Sequence, residues 1–100
     1  MTKCHTLKTT LWPSRGGEGA EAVYALRNNN TLSELILNNM EKAGQTKRKS
    51  YQKRLPEDPS KDYYFIIRDT KDLESILLEY GFIDNKNDQN KLINNVFILY

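Results

Sequence analysis

Ile76-Leu77-Leu78-Glu79-Tyr80-Gly81-Phe82-Ile83 is an apolar run broken by a single acid. The triplet Ile76-Leu77-Leu78 reads as the centre of a buried strand within Leu73 to Tyr80, closed by Gly81. A carboxylate in such a run has two readings. Burial among Leu and Ile disfavours the ionised form, which suits a general acid or base working near neutrality. At the carboxyl end of a strand in an open α/β sheet, the group would also sit where such folds place their ligands. The plainer reading is a structural Glu79 that pairs with Arg68 or Arg27, or leans out to solvent.

Working outward, Tyr63-Tyr64-Phe65-Ile66-Ile67 has the aromatic and β-branched content of a second buried strand, ended by Arg68-Asp69-Thr70. Ala20 to Leu26 reads as a third, ending at the turn Arg27-Asn28-Asn29-Asn30. A helix follows. Thr31 and Glu34 have the spacing of a capping box, Leu32, Leu35, Ile36 and Met40 share one face, and Gly44 is the stop. A last helical face is expected from Leu92, Ile93, Val96, Phe97, Leu99 and Tyr100. The aromatics Tyr24, Tyr63, Tyr64 and Phe65 are assigned to the core. Continuous apolar strands alternating with amphipathic helices predict an α/β fold, part of a three-layer α/β/α sandwich around a mostly parallel central sheet. Residues 1–15, with the Trp12-Pro13-Ser14 break, show no period and read as an irregular leader; residues 16–100 form the domain, and the chain looks cut at both ends.

The 100 residues allow one small domain. Hydrophobic residues make up 38% and charged residues 28%, which is globular, although the mean hydropathy of -0.73 is polar. Lone Cys4 excludes an internal disulfide and any Cys-rich zinc motif. No run reaches the roughly 20 apolar residues of a membrane helix, and Met1 to Arg15 holds no signal-peptide core. A net charge of +2 is too small to imply nucleic acid, but six cations (Lys42, Lys47, Arg48, Lys49, Lys53, Arg54) cluster between Lys42 and Pro56 without an acid. Interleaved with Tyr51, they could grip phosphates and stack a base. The alternative is a solvated loop, or a rim facing an acidic polymer, and it is preferred because Gln52 and Pro56 break any continuous basic face.

Glu79-Tyr80-Gly81-Phe82-Ile83-Asp84-Asn85, after Ile76-Leu77-Leu78, resembles the late motif of the zinc-dependent N-acetylmuramoyl-L-alanine amidases, the family-3 peptidoglycan amidases. Three more segments resemble that family in the same order: Gly16 to Tyr24, Ser50 to Pro56 and Tyr63 to Thr70. Each is weak alone; four in order are specific. The resemblance implies hydrolysis of the amide between N-acetylmuramic acid and L-alanine, with peptidoglycan as partner and the cell wall as the family's place of action. It also implies a zinc ion held by two His and one Glu, with Glu79 in the proton-handling position.

The ligands do not match. Where the family has a His-x-Asn-Ala motif, this chain reads Leu11-Trp12-Pro13-Ser14. His5, the sole histidine, lies several residues too far upstream with no Asn-Ala behind it, and is a weak candidate; Cys4 beside it is no better. The expectation is therefore a truncated amidase domain that binds no zinc and is silent alone. A catalytically silent peptidoglycan-binding or regulatory fragment is the alternative, and a small basic nucleic-acid binder a more distant one.

Overall fold

The computed structural model describes residues 5–12, 17–70, 72–82 and 84–94. Its elements run β1 (His5–Trp12), β2 (Ala20–Tyr24), α1 (Thr31–Lys42), β3 (Lys47–Tyr51), β4 (Arg54–Leu55), β5 (Asp58–Asp62), α2 (Phe65–Arg68), β6 (Glu74–Phe82) and α3 (Lys86–Asn94). The fold is mixed α/β. Four strands form one sheet in the order β1-β6-β2-β3, and β4 pairs with β5 as a small separate hairpin.

The sheet is mixed rather than mostly parallel. β1 runs parallel to β6 and β2 parallel to β3, but the central pair β2 and β6 is antiparallel. Alternation along these two strands sorts their side chains between the faces. On one face Ala20, Ala22, Ile76 and Leu78 pack with Leu37 and Met40 of α1. On the other, Val23, Ala25 and Leu77 pack with Ile67 of α2, flanked by Tyr51, Tyr64 and Ile66. Leu37 and Leu78 are fully buried, so truncating either to Ala removes about 2–5 kcal/mol of packing.

Several expectations meet corrections here. Residues 5–12 form β1 instead of continuing an irregular leader. The Tyr63 to Ile67 stretch is no strand: Tyr64 is the N-cap of the four-residue α2, which buries Ile67 and leaves Phe65 66% exposed. Tyr24 and Tyr64 do pack against the core, whereas Tyr63 and Phe65 are exposed. On α1 the buried positions are Ser33, Leu37 and Met40, with Leu35 55% exposed. No capping box forms. Thr31 is already helical, its amide donates to Asn29 Oδ1, and the Glu34 carboxylate turns to Lys47 and Ser50 on β3.

The Gly44 stop is as read from sequence. Gly44 has φ +109°, and the amides of Gly44 and Gln45 return to the carbonyls of Glu41 and Met40, the pairing of a Schellman motif. In α3, residues 86–94 are helical, and the expected apolar positions beyond Asn94 lie outside the described residues.

The β4–β5 hairpin carries a small pH-sensitive turn. Ser60 donates from its hydroxyl and its amide to Asp58 Oδ1 at 2.6 and 3.2 Å, holding the Asp58 carboxyl below the usual 3.8, with Lys61 adding to the effect. A folded value below the unfolded one means that the turn's contribution is full above pH 3.8 and is lost as pH falls through the folded value. The Ser60 amide resonance is expected to titrate below pH 3.8, and a Ser60 resonance that stays flat there would remove this assignment.

Candidate active site

Glu79 sits two-thirds of the way along β6 and is 2% exposed, so it does not lean into solvent. Arg27 and Arg68, the cations nominated as its structural partners, are engaged elsewhere. Arg27 donates to the carbonyls of Ile67, Thr70 and Leu73 and to Ser75 Oγ, clamping the approach to β6. Arg68 donates to the carbonyls of Asp62 and Tyr63.

Directly across from Glu79 on antiparallel β2 is Glu21, itself 5% exposed. Opposed Cα atoms in such a pair lie about 5 Å apart. Two acids facing each other there would repel. The repulsion is relieved from β3, where Arg48 Nε donates to Glu21 Oε2 at 2.7 Å. Sequence reading placed Glu21 only within the segment Gly16 to Tyr24; its position opposite Glu79 is visible once β2 and β6 are paired.

Glu21, Arg48, Lys49, Tyr51, Lys53 and Phe82 line a cleft of about 460 Å³ that opens on this side of the sheet. The Arg48 guanidinium rests 5.0 Å from the Phe82 ring, Lys49 Nζ 4.9 Å from Tyr51, and Lys53 Nζ 4.2 Å from Tyr63. The remaining cations of the basic stretch disperse. Lys47 pairs with Glu34 under α1, and Arg54 bonds the Pro59 carbonyl on the hairpin. They make no continuous face of the kind a nucleic-acid backbone needs.

The cleft wall is fastened by a residue the sequence reading passed over. Asp88, 3% exposed, accepts bonds from the amides of Gly19 (3.0 Å) and Phe82 (2.8 Å) and from Gln45 Nε2 (3.2 Å). Its own amide donates to Asn85 Oδ1, an N-cap on α3. The backbone must come very close for this. A Cβ on Gly81 would lie 2.7 Å from the Asp88 carboxyl, and one on Gly19, at φ +104°, would lie 2.6 Å from the Thr46 carbonyl. Asn85 followed by Asp88 three residues on was the available signal.

A metal centre does not assemble from these groups. His5 is in register with Glu74 and Thr10 with Glu79, which puts His5 about 16 Å along the strand from Glu79 at roughly 3.3 Å per residue. Among the described residues no group of three or more His, Cys, Asp or Glu could hold a metal ion. Cys4 lies outside the described residues. Among the described residues no helix is long and apolar enough to cross a membrane.

The family model of the N-acetylmuramoyl-L-alanine amidases matches residues 12–98. The chain belongs to that amidase family. The match contains β2, β6 and the Glu21–Glu79 pair. Cwp6 from Clostridium difficile is a similar solved structure, with a TM-score of 0.69 and 30% identity over 86% of this chain. This chain spans 14% of the length of Cwp6. A comparison with curated proteins finds no match.

Proposed function

We propose that residues 16–100 are the later portion of a zinc-dependent N-acetylmuramoyl-L-alanine amidase domain, in which Glu79 handles the proton as the amide between N-acetylmuramic acid and L-alanine is cleaved. The observation that carries this reading is a buried acid on a central strand, opposite a Glu21 that lines an open cleft, inside a family match. In that role Glu79 takes a proton from the attacking water while oxygen bonds to the acyl carbon, and delivers it to nitrogen as the carbon–nitrogen bond breaks. Glu21, tied to Arg48, would keep its own charge balanced next to that exchange. The packing of α1 on one face of the sheet and α2 on the other supports reading the parent domain as an α/β/α sandwich.

The family is zinc-dependent, and the groups around Glu79 do not fit that ion: Glu21 is held by Arg48, and His5, on β1, is in register with Glu74 at the start of β6. On this reading the chain by itself binds no stoichiometric zinc and is silent. A second reading, a peptidoglycan-binding fragment without catalysis, draws on the same misfit and on the basic cleft.

Grafting separates them. Residues 16–100 in place of the matching segment of a complete, zinc-loaded family member should release new L-alanine amino termini from purified peptidoglycan, while the isolated chain with added zinc releases none. A folded, zinc-loaded graft that releases nothing would sink the amidase reading. Release by the isolated chain would overturn its silence.

A further inference from the structure

The two aromatic rings that line the cleft, Tyr51 and Phe82, are both already occupied. Phe82 is 4% exposed and carries the Arg48 guanidinium, while Tyr51 holds Lys49 and packs against the core cluster of Val23, Ala25, Ile67 and Leu77. A nucleobase needs an open aromatic face to stack on. The cleft presents charge instead, and its cations are not equivalent. Arg48 is balanced by Glu21 at 2.7 Å. Lys49 and Lys53 also line the cleft, yet among the described residues neither makes an ion pair. Each ammonium is held over a ring, Lys49 over Tyr51 and Lys53 over Tyr63, and a ring face attracts a cation without neutralising it. The N–H donors turned away from the rings stay open to an anion.

Charge, donor type and size limit what that anion is. Two uncompensated ammoniums match a doubly charged group, and a phosphate monoester carries about −1.5 to −2 at neutral pH on three acceptor oxygens. A planar carboxylate is matched best by the fork of an arginine, whereas lysine serves phosphate as a point charge. The arginine in this cleft is engaged by Glu21. A cleft of about 460 Å³ falls within the roughly 300–1,000 Å³ of small-ligand sites, so the ligand is compact. We propose that the cleft is a phosphate site in which Lys49 and Lys53 grip the terminal phosphate of a phosphomonoester or a pyrophosphate. Glu21 is the one acid on the cleft wall, and Arg48 screens it from that ligand. The site goes beyond the amidase reading and does not rest on it.

The test is calorimetric titration of the full chain with glycerol 3-phosphate, pyrophosphate, succinate and a poly(glycerol phosphate) oligomer, at about pH 7.5 where the phosphate monoester is close to a dianion. The two phosphates should bind. Succinate, with the same charge divided between two carboxylates, should bind at least about tenfold more weakly. The exposed pair Lys49→Gln/Lys53→Gln should lose about tenfold or more in phosphate affinity with an unchanged circular dichroism spectrum, whereas Lys61→Gln, on the hairpin, should leave affinity as it was. Glu21→Gln should move affinity the other way, because it removes the acid that balances Arg48. Equal binding of succinate, full affinity in the double lysine variant, or binding of the phosphodiester oligomer alone would each overturn the proposal. Vesicles containing phosphatidic acid identify the source: lysine-dependent retention on them without binding of the soluble probes keeps the phosphate site and assigns it to a lipid. Titration needs no turnover, so the two readings fail separately. Phosphate binding with an inactive graft keeps this site and loses the amidase; an active graft without such binding does the reverse.

Discussion

Glu79→Gln, placed in an active graft of residues 16–100, is expected to lower kcat by about 10²–10⁴ while leaving KM within a few-fold, the range for losing a positioned acid–base group. The substitution is nearly isosteric at a strand position that is 2% exposed, so the packing around it should hold. A carboxylate opposite Glu21 repels it; an amide does not. Thermal stability therefore discriminates. If Glu79 were only a structural partner, Gln should cost stability and spare kcat; if it moves the proton, Gln should spare stability and cost kcat. Glu21→Gln is the companion measurement. It leaves Arg48 with a weaker partner at 2.7 Å, and its effect should fall on stability and on cleft binding more than on the chemical step. A Glu79→Gln graft with wild-type turnover would remove the residue from the mechanism.

How much of this was legible in the sequence depended on which force dominated each segment. β6 was readable because its burial is written as consecutive apolar residues, and Glu79 stood out against them. β2 was readable for the same reason, although its partner was not: nothing in Ala20 to Tyr24 states that it runs antiparallel to β6, since pairing direction is set by how the intervening chain returns. Tyr63 to Ile67 has strand propensity, but propensity yields to context. Here the Arg68 bonds to the carbonyls of Asp62 and Tyr63 help hold a single helical turn that needs only Ile67 inside.

β1 and β3 were missed for a different reason. β3 reads Lys-Arg-Lys-Ser-Tyr, the charged composition of an edge strand, which carries no apolar alternation. In β1 the β-branched Thr6, Thr9 and Thr10 were a usable signal. At the site, the resemblance nominated Glu79 by its neighbours in sequence. It could not show that Glu21 faces it, because that contact spans two strands and is visible only in register.

Asp88→Ala should cost about 3 kcal/mol or more, because it strips the acceptor from three buried donors, each of which loses roughly 1–3 kcal/mol when left unsatisfied. For a domain of this size that is a fall in Tm of roughly 12 °C or more. The donors come from three places far apart in the chain: the Gly19 amide before β2, the Phe82 amide at the end of β6, and Gln45 after α1. One carboxylate thus closes the sheet's end against the start of α3. Asp88→Asn keeps the size and one acceptor oxygen but turns an amide donor toward other donors, so it should fall between Ala and the parent. The site should feel the same change. Phe82 lines the cleft and carries Arg48 on its ring, and freeing its amide loosens the wall that Arg48 leans on. The effect reaches the cleft although Asp88 is not among the residues that line it. Thermal unfolding followed by circular dichroism reads the loss of stability. An Asp88→Ala variant melting within about 2 °C of the parent would show that water or a neighbouring group satisfies these donors, and that the closure of the cleft wall does not depend on Asp88.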